Sequence, residues 1–285
     1  MAGTELQRVH DAARALEAER WHDLLAASAV AAEQGAPDVT LAGFPPEDIQ
    51  QALNSAPATR KMDQAFALYR EAMEAYATHG SPRAEARFLD FGTGWGRIWR
   101  YFLRDFTPGR MAAFDVNPKL ADFWAGAMLG ARLDVAAPFE PLPYEDDTFD
   151  LVVSNSVFSH LSERLNLHSA RELHRIMRPG GIFVGTTFGR PQLKRWRTRV
   201  ARGDVLPGRW QMRAGMTEEF DRALERYDTG AFAFVPTDAA RPGDYEIAAF
   251  SGDWLRTNWV PWFETIGYND DKPVQPVFVC RAKPA

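Results

Sequence analysis

The sequence predicts an α/β fold, a doubly wound and mostly parallel sheet behind an N-terminal helical extension. Three observations carry this. Short apolar runs alternate with helical patterns from residue 86 to about residue 190, as in a parallel sheet with helices on both faces. A glycine-rich turn, "GTGWG" (92–96), separates the first apolar run from the helical pattern behind it. Ahead of residue 80 the texture is helical, with "GAPDVTLAGFPPED" (35–48) as a turn-rich break.

Taken in order, residues 3–34 are rich in Ala, Glu, Leu and Arg and lack Gly and Pro beyond Gly3, which predicts helix. Pro45-Pro46 opens a second helical stretch, and residues 59–80 form a third, stopped by Gly80 and Pro82. "RFLDF" is the first strand and 95–106 a helix. "MAAFDV" (111–116) is the second strand, followed by helix from Pro118 to about Met128. "ARLDV" is a third strand. "FDLVVSNS" (149–156) is nearly continuous in apolar character, as a strand buried on both faces is. Residues 161–177 form a helix ended by Pro179-Gly180-Gly181, and "IFVGTTF" (182–188) a further strand. Beyond it come helical segments at 190–213 and 216–227, "YEIAAF" (245–250), a helix from near Asp253, and a last strand, "QPVFVCRA" (275–282).

The 285 residues are 46% hydrophobic and 25% charged, with a net charge of −5. This composition is that of a globular protein, and its acidic balance argues against whole-chain nucleic-acid binding. Cys280 is the only cysteine, so neither an internal disulfide nor a cysteine-based metal cluster is expected. No apolar run approaches the roughly 18–20 residues of a membrane span. The charged N-terminus lacks the apolar core of a signal peptide. These features predict a cytoplasmic protein with no membrane partner.

A strand, a glycine turn and a helix start together make a nucleotide-cofactor site, because glycine admits close approach and the helix start offers N–H donors. A dinucleotide fingerprint needs G-x-G-x-x-G. Here Arg97 occupies the third glycine's place, the glycines are Gly92, Gly94 and Gly96, and Asp90 precedes them. An acid beside the loop suits a cationic ligand better than a diphosphate. Asp115, ending the second strand, suits the two hydroxyls of a ribose. Trp95 inside the loop either packs under the helix start or walls the ligand.

These residues resemble class I S-adenosylmethionine-dependent methyltransferases. "FLDFGTGWGRI" is similar to the family's first motif, and "AAFDVNP" to its second-strand acid. "LPYEDDTFDLVVSNSVFSHL" is similar to its fourth-strand motif, and "ELHRIMRPGGIFVGTTF" to its Pro-Gly-Gly turn into the fifth strand. The resemblance covers roughly residues 86–190. It implies a Rossmann-like seven-stranded sheet with the last strand antiparallel, the tail supplying the sixth and seventh strands with a helix between them. It implies S-adenosylmethionine as cofactor, S-adenosylhomocysteine as product and no metal. Gly92, Thr93 and Gly94 would wrap the methionine part, and Gly96 would also belong to the cofactor site. Asp90 would order the loop or hold the amino group through water. Asp115 would take the ribose, with Val116 against the adenine, and Asn155 and Ser156 would face the cofactor. The acid that family members often place ahead of the "FD" pair to hold the adenine amino group falls here near Pro138.

The expected division is a helical cap or lid over 1–85 and a methyltransferase domain over 86–285, with 190–244 as a substrate-lid insertion. His160 is the candidate general base; the alternative is a helix-start residue bonded to backbone. Asp147 and Asp150 read as turn and strand-start residues. His168 and His174 are six apart, which is not a helical metal pair. Residues 190–213 carry eight Lys/Arg and one Asp, a net of +7. Arg195, Arg199 and Arg202 share a helical face there. The segment suits an anionic acceptor, or is a solvated face, or pairs with the acidic helical head. Trp196, Trp210, Trp254, Trp259 and Trp262 either line an aromatic pocket or pack in the core. The leading function is O- or N-methylation of a small molecule by a monomer or homodimer. The alternative is an RNA or protein methyltransferase gripping its substrate with 190–213. A non-catalytic binder and a nicotinamide oxidoreductase are the weaker readings.

Overall fold

A computed structural model describes residues 2–33, 58–128, 130–204, 216–236, 243–272 and 274–284. The helical stretch expected from Pro45-Pro46, the end of the basic segment and Trp210 lie outside the described residues. Seven strands form one sheet in the order β3-β2-β1-β4-β5-β9-β8. They are β1 (Phe88–Phe91), β2 (Met111–Asp115), β3 (Leu133–Val135), β4 (Phe149–Ser154), β5 (Met177–Thr186), β8 (Phe263–Asn269) and β9 (Val277–Ala282). A separate two-stranded sheet pairs β6 (Ala233–Val235) with β7 (Ile247–Ala249). The Rossmann-like seven-stranded α/β fold expected from the resemblance is present.

The chain divides into two compact units: Met1–Ala137 with Phe149–Val153, and Pro138–Thr148 with Ser154–Ala285. In the first, β1 pairs in parallel with β2 and with β4, and all four β1 residues are buried. The N-terminal helices α1 (Ala2–Arg14), α2 (Ala18–Glu33) and α3 (Ala58–His79) belong to the same unit. The apolar face of α1 is Leu6, Val9 and Ala13, all buried, at the helical spacing that lays them on one stripe.

These helices dock on the segment after β1, where α4 (Trp99–Phe102) lies. Trp21, fully buried, donates its Nε1–H to the Arg100 carbonyl (3.3 Å). His10 Nδ1 lies 2.7 Å from the Leu103 carbonyl oxygen. Tyr101 donates to the Met62 carbonyl (3.1 Å), and Tyr69 to Asp105 Oδ2 (2.6 Å). The Phe66 ring stacks on His22 at 4.4 Å between centroids.

Tertiary contacts moved several expected boundaries. The helix expected over 3–34 breaks between α1 and α2, where Ala15 and Leu16 make i→i−3 bonds and Arg104 Nε donates to the Leu16 carbonyl (2.9 Å). The helix expected over 95–106 is regular only across α4, because its flanks are tightened by i→i−3 bonds such as Gly96 to Thr93 and Asp105 to Phe102. Helix α6 (Glu163–Ile176) stops at extended Met177, so Pro179-Gly180-Gly181 lies inside β5 and does not end the helix.

In the second unit β9 runs antiparallel to both β5 and β8. The sixth sheet strand is therefore β8, and "YEIAAF" instead supplies β7 of the small sheet. Edge strand β8 is mostly half-exposed and interrupted by a bulge between Thr265 and Gly267, so it carries no apolar run for a sequence reading to find. Between β5 and β7, α7 (Arg190–Ala201) and α8 (Thr217–Asp228) pack with the small sheet around Leu193, Val200, Phe220, Val235 and Ile247. Helix α5 (Leu120–Ala127) follows β2, and α9 (Gly252–Asn258) precedes β8. Trp254 and Trp259 are buried in core packing, Trp259 donating to Asn166 Oδ1 (2.9 Å).

Truncating Trp21 to Ala removes a fully buried indole and its hydrogen bond. It should destabilise the protein by about 3–5 kcal/mol in urea unfolding. A change under about 1 kcal/mol would mean that the N-terminal helices add little to the first unit's core.

Candidate active site

The site begins at the end of β1. Asp90 is buried there, at 1% exposure. Its Oδ2 accepts from Thr93 Oγ1 (2.7 Å) and from the Trp99 N–H (3.0 Å). One carboxylate oxygen thus ties the loop to the first residue of α4. Of the two roles expected for Asp90, loop ordering is the one these bonds perform. Burial pushes the Asp90 carboxyl from 3.8 up to about 7, against the lowering effect of those two donors.

The loop rises over β2. Gly92 and Thr93 both donate to the Phe114 carbonyl, at 2.8 and 2.9 Å. Gly92, Gly94 and Gly96 all have positive φ, at 74°, 55° and 79°, which explains three glycines in five residues. At Gly96 a Cβ would also crowd Met128 Cε at 2.7 Å and the Trp124 ring at 3.0 Å, so both would have to shift. Asp115 accepts from the Gly94 N–H through Oδ2 and from the Asn117 N–H through Oδ1, both at 2.9 Å. Its half-buried carboxylate is thereby held beside the loop, next to half-buried Val116.

Three partners of the loop were not predicted. Trp124 on α5, fully buried, donates Nε1–H to the Gly94 carbonyl (2.8 Å). Fully buried Arg100 sets its guanidinium 4.9 Å from the Trp95 ring. Trp95 is itself 3% exposed, so it packs under the helix start. Arg97 donates to the Lys61 carbonyl on α3 (3.0 Å). None of these pairings leaves a local spacing signal; each depends on how the chain returns.

Asn155, Ser156 and His160 follow β4 and belong to the second unit. Ser156 has φ 62°, an uncommon conformation for serine. Its N–H donates to Thr186 Oγ1 (2.7 Å), and its Oγ accepts from Gln275 Nε2 (2.8 Å). His160 Nδ1 lies 2.9 Å from the Glu246 carbonyl oxygen. A carbonyl only accepts, so this contact places a proton on Nδ1. The backbone bond expected of a helix-start residue is thus present at His160.

Asp150 is structural: it takes Arg83 Nε at 2.8 Å and the Arg87 N–H at 2.8 Å. Asp147 sits in a turn at φ 50°. The arginines of α7 are largely engaged within their own module. Arg190 binds Asp228 (2.5 and 2.7 Å), Arg197 binds Asp221 (2.6 and 3.1 Å), and Arg199 lies 3.7 Å from Asp204. Among the described residues, no group of three or more His, Cys, Asp or Glu side chains could hold a metal ion. No described helix is long and apolar enough to cross a membrane.

A strand, glycine loop and helix on a seven-stranded sheet with its reversed strand inserted beside β5 make up a Rossmann-like methyltransferase fold. Residues 89–185 match the family described as "Methyltransferase domain". A malonyl-(acyl-carrier protein) O-methyltransferase of Methylococcus capsulatus is 33% identical over 110 residues, 38% of this chain and 39% of that protein. The mitochondrial arginine-hydroxylase NDUFAF5 of Homo sapiens is 32% identical over 108 residues, 38% of this chain and 30% of that protein. The chain thus spans well under half the length of these relatives. The crystal structure of the PH0226 protein from Pyrococcus horikoshii OT3 shares the fold, with a TM-score of 0.52 and 15% identity over 85% of this chain and 100% of that one.

The raised Asp90 carboxyl has a consequence for stability. It binds its proton more tightly when folded than when unfolded, so its contribution is greatest below the unfolded value of 3.8 and is lost as pH rises to about 7. Asp90→Asn, which keeps an acceptor oxygen for Thr93 and Trp99, should flatten the decline in urea-unfolding stability between those pH values. An unchanged slope would show that Asp90 ionises as freely in the folded chain as in water.

Proposed function

We propose that this chain transfers the methyl group of S-adenosylmethionine to a small-molecule acceptor, at oxygen or nitrogen. The observation that carries the reading is Asp115, held at 2.9 Å from two backbone N–H donors beside a loop of three positive-φ glycines. Backbone N–H groups orient this carboxylate, and a carboxylate suits the two hydroxyls of a ribose. The residues fit the cofactor: the loop's positive-φ glycines admit a close ligand. Gly92, Thr93, Gly94 and Gly96 would hold the methionine part, Val116 the adenine, and Asn155 and Ser156 follow β4 as the family pattern requires. When bound, the cofactor supplies an electrophilic methyl on a positive sulfonium.

The chain's own task is alignment and proton handling. His160 takes the acceptor's proton at Nε2, its Nδ1–H kept on the Glu246 carbonyl. The relative from Methylococcus capsulatus is named for O-methyl transfer, which supports an oxygen acceptor. The N-terminal helices, bonded to residues 100–105 through Trp21, Tyr69 and His10, serve as a scaffold for the loop's helix start. The arginines paired on α7 favour a small acceptor over a nucleic acid, because each already has a carboxylate partner that phosphate would have to displace.

Calorimetry with S-adenosylmethionine, S-adenosylhomocysteine and NAD tests the cofactor. Both sulfur ligands should bind, and binding of NAD alone would overturn the reading. Asp115→Ala should weaken S-adenosylhomocysteine by about 1–3 kcal/mol, since it strands hydroxyl donors; undiminished affinity would remove Asp115 from the site. With an acceptor found by labelled-methyl screening, His160→Ala should lose about 10²–10⁴ in rate with cofactor affinity intact. A loss under about tenfold would leave alignment alone as the source of rate.

A further inference from the structure

We propose that Asp244 is a positioning residue that fixes the proton of His160 on Nδ1. This deepens the proposed function and rests on His160 being the proton acceptor. Two segments distant in sequence, 160–164 and 243–246, lie side by side in the second unit. Ser162 donates its N–H to the Asp244 carbonyl (2.8 Å), Glu246 donates its N–H to the His160 carbonyl (2.7 Å), and Leu161 bridges Tyr245 between them in antiparallel register. Ala248 continues the seam by donating to the Ser159 carbonyl (2.8 Å).

The register decides the chemistry. Glu246 uses its N–H on the His160 backbone and its carbonyl on the His160 ring. A slip of one residue would turn a different carbonyl, or an N–H, towards Nδ1. Three or four backbone bonds at the end of a loop hold register weakly. The Asp244 carboxylate adds a side-chain lock at the far end of the seam. Its Oδ1 accepts from Ser162 Oγ (2.6 Å) and its Oδ2 from Arg164 (2.9 Å). Ser162 is also the N-cap of α6, its Oγ accepting from the Leu165 N–H (3.2 Å). The lock therefore fastens the loop to the first turn of a 14-residue helix, a rigid element.

The charged groups around the seam are Asp244, Arg164, the largely buried Glu246, whose Oε1 lies 3.4 Å from the Gly243 N–H, and Glu163, which accepts from Trp254 Nε1 (3.1 Å). The Asp244 carboxylate accepts from Ser162 and Arg164, that of Glu163 from Trp254, and that of Glu246 from the Gly243 N–H. The contact the structure gives Nδ1 is a carbonyl, which sets a tautomer without adding charge.

The test is long-range proton–nitrogen NMR of the imidazole rings, with the His160 signals identified by their loss in His160→Gln. The wild-type ring above its titration should be the Nδ1–H tautomer. Asp244→Ala should shift the tautomer ratio towards Nε2–H by about tenfold or more, and Asp244→Asn, which still accepts from Ser162, should restore most of it. A purely structural Asp244 would lower the melting temperature and leave the tautomer unchanged, and that result overturns the proposal, as does a wild-type ring protonated on Nε2. If Asp244→Ala does not fold, Ser162→Ala decides: it should show the same shift at smaller size. Calorimetry with S-adenosylhomocysteine on the wild-type protein separates the two ideas. Its failure to bind would sink the methyl-transfer reading, while the tautomer signals judge the lock by themselves.

Discussion

The buried carboxylate of Asp90 is the constraint around which the first unit is arranged. An ionisable group at 1% exposure is costly unless its oxygens are bonded, and the chain meets this by curling back until Thr93 and Trp99 both reach one oxygen. A turn that tight within ten residues requires left-handed backbone, which accounts for Gly92, Gly94 and Gly96. The same curl presents the Gly94 N–H to Asp115 and the Gly94 carbonyl to Trp124. The loop is therefore held by bonds from both ends and from its neighbours.

The short α4 hands this order on to the N-terminal helices. Its backbone carbonyls and those just after it, at Arg100 and Leu103, bond Trp21 and His10, while Tyr101, Arg104 and Asp105 reach Met62, Leu16 and Tyr69. A helix of four residues leaves most of its terminal backbone groups without intrahelical partners. Side chains from α1, α2 and α3 supply part of what α4 cannot supply itself, which makes those helices part of the loop's support.

The second unit solves a different problem, holding irregular chain in register. Ser156 keeps its left-handed backbone because Thr186 and Gln275 grip it on both sides. The 243–246 segment is pinned to the start of α6. Helix α7 turns a net-basic face into a set of ion pairs with Asp221 and Asp228 of α8. Isolated exposed pairs stabilise little. Here they flank an apolar cluster that already joins the helices, so they act mainly on which face of α7 turns outward.

Much of this architecture was legible beforehand. Strand positions β1, β2, β4 and β9, the glycine loop, Asp90 and Asp115 follow from sequence because each is dictated locally: by apolar periodicity, by backbone that only glycine tolerates, and by an acid at a strand's end. Edge strand β8, the assignment of "YEIAAF" to a small sheet, the break between α1 and α2 and the neutralisation of α7 did not, because half-exposed strands and ion-pair partners leave no local period. The partners Trp124, Arg100, Thr186, Gln275 and Asp244 were equally invisible. Sequence alone determined that a strand, a tight glycine turn and a second-strand acid stand in a fixed local order. Only the tertiary structure decided which distant groups hold them there, since a hydrogen bond between residues 80 or more apart, such as Ser162 to Asp244, depends on the path of the whole chain between them.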